Sequence, residues 1–201
     1  MKKKILTALT ATMIAGSVSA MAAPAEIQEG GWNITLGSSI TPSTEVGGHD
    51  TDGDSGFYGN VTYGLTDEWA LQYDYSHYGY GDDWGVDAKG DASEINVLYK
   101  LTPNLNAYAG YVYYGEDYDG WGHSTEGYQA GLQGWYPFSD KIKGFAKVGI
   151  GNKSQIYEIG CGYAVADNWD IDLSYRYAEY EDVGGADMTF DGVRAGISTS
   201  F

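Results

Sequence analysis

The sequence is short of several things, and each shortage excludes a class of protein. One cysteine among 201 residues, Cys161, rules out an intramolecular disulfide, and the three histidines form no Cys/His cluster with zinc-ligand spacing. Eleven Lys+Arg against 28 Asp+Glu give a formal charge of −17, so the basic footprint that nucleic acid requires is missing. Beyond residue 22 no run approaches the roughly 18 apolar residues of a membrane helix. Prolines number only four, against 30 glycines, 19 tyrosines and six tryptophans. Glycine weakens helices and aromatics favour strands, so the mixture describes many glycine-bent aromatic strands. At 43% hydrophobic and 19% charged, the chain is not a disordered acidic tail either.

Residues 1–22 read as a secretory signal peptide. Lys2, Lys3 and Lys4 form a basic start, Ile5 to Val18 a mostly apolar stretch, and Ala20-Met21-Ala22 an A-x-A cleavage site. Removing them takes away three lysines and no acid, which moves the formal charge to −20. Residues 23–201 read as one exported domain without a helical anchor.

Within that domain short turns alternate with longer polar stretches. Leu65-Thr-Asp-Glu-Trp69, Leu101-Thr-Pro-Asn-Leu105 and Val165-Ala-Asp-Asn-Trp169 each put three turn-forming residues between two apolar ones. Pro137-Phe-Ser-Asp-Lys141 is a slightly longer fourth turn. Glycine- and aspartate-rich stretches lie near 41–55, 79–91, 115–125 and 181–187, with Gly151-Asn-Lys-Ser154 as a short fifth. Between these signals hydrophobicity has period two: Trp169, Ile171, Leu173, Tyr175 and Tyr177 alternate with Asp170, Asp172, Ser174 and Arg176. Ten strands follow, near 32–40, 56–65, 69–79, 92–101, 105–115, 126–136, 142–150, 155–165, 169–180 and 188–201, with eight as the alternative count. Pairing across the three-residue turns opposes Tyr63 to Leu71, Val61 to Tyr73, Tyr99 to Ala107 and Tyr163 to Ile171, apolar against apolar each time.

Long strands with one apolar face, a small polar face, and loops alternately short and long predict an all-β, antiparallel, up-and-down transmembrane barrel. Trp69 and Trp169 mark an aromatic girdle at the short-turn end. Tyr75, Tyr78, Tyr113, Tyr114, Tyr177 and Tyr180 cluster toward the other end as the second girdle. The signal peptide, the repeated turn-plus-aromatic units, Leu173-Ser-Tyr-Arg-Tyr177 and the terminal Phe201 together resemble the OmpA-like family of small outer-membrane β-barrels. That resemblance implies the outer membrane of a Gram-negative bacterium, with Phe201 as the signal for the barrel-assembly machinery. The chain departs from the family pattern in two ways. Ten expected strands exceed the usual eight, and no peptidoglycan-binding domain follows, so a cell-wall tether is not implied.

The polar stretches and Lys153 together hold fourteen of the twenty net negative charges, so the external rim is expected to be acidic and the wall nearly neutral. An acidic rim beside anionic lipopolysaccharide needs divalent cations between them. Asp50, Asp52 and Asp54 offer alternate carboxylates to a hard cation. However, Ser55 and Val61 stand where an EF-hand has glycine and glutamate, which favours a solvated acidic loop over a calcium site. His123-Ser-Thr-Glu126 holds a base, a nucleophile and an acid, and Asp82-Asp83 a carboxylate pair of the kind used by the ten-stranded omptin proteases. Neighbours in a strand point to opposite sides and the chain is short for an omptin cleft, so no enzyme is expected. Cys161, in phase with Ile159 and Tyr163, reads as a small lipid-facing hydrophobe, and His77 as an outward residue near the outer interface.

Inward positions carry Asp74, Glu94, Glu158, Asp170 and Asp172 against Lys100, Lys143, Lys147, Arg176 and Arg194. Register places Glu158 between Lys147 and Arg176, with an Asp172–Arg194 pair beside them. Buried charges are tolerated when paired, so this predicts a mostly blocked lumen held by a charge ladder. Phe190 and Val193 fall out of phase unless a bulge lies near Asp191–Gly192. The functional expectation is a monomeric, cofactor-free barrel with a structural or adhesion-like role through its acidic loops. A narrow pore stands second and a hydrolase of lipid A or peptides third.

Overall fold

Alternation of period two gives each strand one face for lipid and one for a lumen, and in a membrane such a sheet must close on itself to leave no unpaired edge. The computed structural model describes residues 26–81, 87–118 and 121–201; the signal-peptide assignment at 1–22 lies outside them. Ten strands form one closed barrel, each antiparallel to the next: β1 (Trp32–Val46), β2 (His49–Gly64), β3 (Trp69–Gly81), β4 (Asp87–Thr102), β5 (Leu105–Tyr118), β6 (Trp121–Pro137), β7 (Ile142–Gly151), β8 (Ser154–Ala166), β9 (Trp169–Val183) and β10 (Ala186–Ser200). β10 returns to β1, and at that seam Trp32 and Phe201 exchange backbone hydrogen bonds of 2.7 and 3.0 Å. The expected hairpin registers are all present: Tyr63 opposes Leu71, Val61 opposes Tyr73, Tyr99 opposes Ala107 and Tyr163 opposes Ile171.

The strands are longer than the sequence pattern suggested. β2, β4 and β6 run for 16, 16 and 17 residues, and most of the stretches expected as acidic loops are strand. The β1–β2 and β9–β10 hairpins turn on Gly47–Gly48 and Gly184–Gly185, where both glycines of each pair adopt positive φ. Tertiary packing overrides the loop-like composition here. Inward positions of these stretches carry Tyr78, Tyr80, Tyr114, Tyr180, Met188 and Phe190, all buried in one cluster that ties β3, β4 and β5 to β8, β9 and β10. Phe190 stacks on Tyr78 with ring centroids 4.1 Å apart, and Tyr114 on Tyr180 at 4.6 Å. Tyr78, Tyr114 and Tyr180 are therefore core residues of an outer extension rather than members of a lipid-facing girdle. Their even positions oppose the odd, outward positions of Tyr75, Tyr113 and Tyr177.

The bulge also lies elsewhere. Ser39 opposes Arg194 and Thr41 opposes Val193, so the extra residue is Ile40 of β1. β10 runs regularly from Met188 to Thr199 against β9, and Phe190 shares the inward face of Arg194.

Truncating a buried aromatic leaves a cavity that its neighbours fill only in part. Phe190→Ala should lower unfolding stability by about 3–5 kcal/mol, measured by guanidinium titration in lipid vesicles. Phe138→Ala, whose ring is exposed at the short-turn end, should cost less than half as much.

Candidate functional site

Two layers fill the barrel. In the membrane-embedded half the lumen is polar, and its centre is Glu94 of β4, which is 1% exposed. Lys147 of β7 reaches Glu94 at 3.0 Å and Asp74 of β3 at 3.1 Å. Arg176 of β9 holds Glu94 at 2.5 Å and Glu158 of β8 at 3.4 Å. Gln129 of β6 donates to Glu94 at 2.9 Å and to Asn96 at 3.0 Å, while Asn60 donates to Asp74 at 2.6 Å. Charge-assisted bonds of this kind are the strong ones, and those from Lys147 to Asp74 and Glu94 and from Arg176 to Glu94 cross the lumen between strands that share no ladder. A cavity of about 80 Å³ adjoins the cluster, lined among others by Tyr58, Gln72, Phe145, Glu158 and Arg194.

The sequence-predicted ladder is present in register but not in its contacts. Lys147 opposes Glu158, and Glu158 opposes Arg176. Even so, the lysine turns away to Asp74 and Glu94, leaving Glu158 with Arg176 and a hydroxyl donated by Ser174 at 2.7 Å. Arg194 does not pair with Asp172. It opposes Ser174 and lies over the rings of Tyr58 and Tyr78 at 4.7 and 5.9 Å, donating to Ser76 and to the Tyr78 hydroxyl. The Asp172–Arg194 expectation fails because the β9–β10 hairpin, with its irregularity between Ala186 and Met188, sets Asp172 opposite Gly196 and Arg194 opposite Ser174. Asp172 instead accepts the Ser198 hydroxyl, and Lys143 lies 3.5 Å from Asp170 beside it. Glu94 was on the inward face in the sequence, but only the cross-lumen reach of Lys147 and Arg176 makes it the hub.

The outer wall changes character at one level. Tyr75 donates to Asp91, Tyr111 to Glu126 and Tyr175 to Asp191, and Tyr177 donates to Glu179 at 2.9 Å. His77 stacks on Phe57 and meets Asp91 at 2.8 Å. Below these pairs the wall is apolar and above them it is acidic, as expected of tyrosines at a bilayer interface. Trp69 and Trp169 are exposed at the opposite end, as their girdle assignment requires, and Cys161 is exposed between Ile159 and Tyr163. On the outer side the β7–β8 hairpin stops early, and its turn ties both flanks. Asn152 exchanges hydrogen bonds with the Tyr128 backbone, and the Lys153 carbonyl accepts from Glu181 at 3.0 Å. The Lys153 ammonium donates to Asp182 at 2.8 Å, holding that carboxyl below the usual carboxylate range.

The remaining candidates do not assemble. β2 passes straight through Asp50, Asp52 and Asp54, which the extended backbone spaces by about 6.6 Å per two residues. Among the described residues no three His, Cys, Asp or Glu side chains converge as cation ligands. His123 and Ser124 are successive residues of β6, and Glu126 is occupied by Tyr111. Asp82 and Asp83 lie outside the described residues.

The family described as outer membrane protein beta-barrel domain matches residues 8–201. No curated protein matches the chain in sequence. Among solved structures, the outer membrane protease OmpT from Escherichia coli superposes with a TM-score of 0.57 at 12% identity, covering 85% of this chain and 97% of that one. Neisserial surface protein A gives 0.49 at 15% identity, covering 86% and 98%. Ail, the attachment invasion locus protein of Yersinia pestis, gives 0.40 at 14% identity, covering 87% and 100%.

Removing one partner of a buried ion pair leaves the other charge uncompensated. Glu94→Gln should therefore cost about 3–5 kcal/mol in urea unfolding from vesicles, and Glu158→Gln clearly less. The reverse order would place the centre of the network at Glu158.

Proposed function

Because the chain belongs to the outer membrane protein beta-barrel domain family, and so stands in the outer membrane of a Gram-negative bacterium, we propose that it is a closed surface barrel whose working part is the acidic outer extension. The observation that carries this reading is the aromatic cluster of Tyr78, Tyr114, Tyr180 and Phe190, which occupies the lumen where a pore would need its mouth. A narrow channel, the second reading, would require these rings to part. The extension has an apolar core and an acidic exterior, which is how a rigid interaction module is built. Its role on this reading is structural or adhesion-like, it acts as a monomer, and it carries no cofactor.

The likeness to the protease OmpT is one of fold, at 12% identity. The His123 ring lies against the Gly184 turn, and Ser124 follows it in the same strand and so points to the opposite side, which supports a non-enzymatic reading. The partners proposed are the barrel-assembly machinery during insertion and lipopolysaccharide around the wall. With acids such as Asp91, Glu126, Glu179 and Asp191 at the interface level, phosphate contact there proceeds through divalent cations.

Planar-bilayer recordings of the purified protein should show no large, steady conductance; sustained open steps would overturn the closed-barrel reading. Lipopolysaccharide should co-purify in Mg²⁺ and be lost on chelation. Retention in chelator would count against cation bridging.

A further inference from the structure

The residues before β1 form a small built object of their own. Gly30, at φ 74, turns Glu26–Gly31 back on itself, and the Gly31 amide donates to the Gln28 carbonyl at 3.0 Å. The turn is fastened to the end of β2: Gly30 donates to the Gly64 carbonyl, and the Gly64 amide to the Gly31 carbonyl, each at 2.9 Å. This carries Ile27 into the lumen, where it is 3% exposed among Ala70, Leu98 and Tyr108 of β3, β4 and β5. Lys100, inward at the same mouth, donates to the Ile27 carbonyl at 3.0 Å and to Glu26 at 3.2 Å. The seat admits only glycine at position 64, since a Cβ there would stand 1.8 Å from the Gln28 carbonyl oxygen.

The two ends of the lumen are thus closed unequally. Among the described residues, twelve buried apolar side chains form the cluster at the outer end, whereas at the end where β1 begins and β10 stops one isoleucine and a partly exposed ion pair close the mouth along β3–β5, beside the buried Lys143–Asp170 pair. Ile27 shares its apolar cluster with Tyr108, whose ring centroid lies 5.3 Å from the Lys147 ammonium, so the small seal adjoins the polar layer. We propose that Glu26–Gly31 is a releasable plug of the periplasmic mouth, and that its release admits water and small ions to the chamber beside Gln72 and Lys147 from that side alone. The plug is independent of the role of the outer extension. Its release leaves the aromatic cluster in place, so bilayer conductance stays low while the chamber becomes accessible.

The test is thiol accessibility in lipid vesicles, using Gln72→Cys in a Cys161→Ser background and a small charged methanethiosulfonate. Gly64→Ala, which expels the turn sterically, and Ile27→Asp should each raise the modification rate at least tenfold. Lys100→Gln, which leaves the strand and the Ile27 pocket intact, should raise it by a smaller factor and serves where the other two do not fold. Heat-modifiable gel mobility identifies the folded variants. An unchanged rate in the folded variants would overturn the proposal, as would a parent rate matching that of a cysteine at exposed Glu29. An equal rise in Phe190→Ala with the plug intact would place access on the outer side and overturn it as well.

Discussion

The Glu94 carboxylate holds Lys147 and Arg176 from across the lumen, and the cross-section of the barrel depends on that contact. Ladder hydrogen bonds fix only neighbouring strands, so a ring of ten could flatten or round without breaking one of them. Bonds between β4 and both β7 and β9 remove that freedom. They do so where water is scarce and each bond is strong, and where leaving any of these charges single would be costly. Asp74, Glu158, Gln129 and Ser174 add further donors and acceptors to the set.

Along a single strand the chain changes solvent. β3 points Gln72, Asp74 and Ser76 inward while Leu71 and Tyr73 face outward; two residues further on, Tyr78 and Tyr80 are the inward pair. Below the Tyr–carboxylate pairs the protein is inside-out, polar within and apolar without, as lipid requires. Above them the same closed barrel encloses an aromatic core and turns an acidic wall outward. One unbroken backbone serves both, because strand geometry is indifferent to which of its two faces is wet.

Much of this was legible in the sequence, and the limits have physical causes. Turn chemistry at Thr66–Glu68 and Ala166–Asn168, with apolar alternation on each side, was enough for strand number, register and lipid-facing residues. The four acidic stretches were misread as loops because aspartate and glycine dominate them; the parity of Tyr78, Tyr114, Tyr180 and Phe190 was the overlooked signal of a buried face. Parity in a strand shows which residues share a face, but adjacency in register does not decide contacts between long side chains. Lys147 bypasses Glu158 for a carboxylate on the opposite wall, a choice set by barrel closure and invisible in any hairpin. Ile27 carried no periodic signal, since a plug belongs to no strand.

The early end of β7 and β8 gives the molecule a direction within the membrane plane. These two strands stop at Gly151 and Ser154 while β6 climbs to Trp121 and β9 to Val183, so the wall has one low flank. On that flank stands Lys153, already committed to Asp182 on the neighbouring tall hairpin. A neighbour diffusing in a crowded membrane therefore meets a different object on each bearing. On most sides it finds a tall acidic palisade, and on one side a step of apolar wall capped by a neutralised pair. Like-charge repulsion is weakest on that bearing, so the height of a single hairpin makes the field around the barrel unequal within the membrane plane.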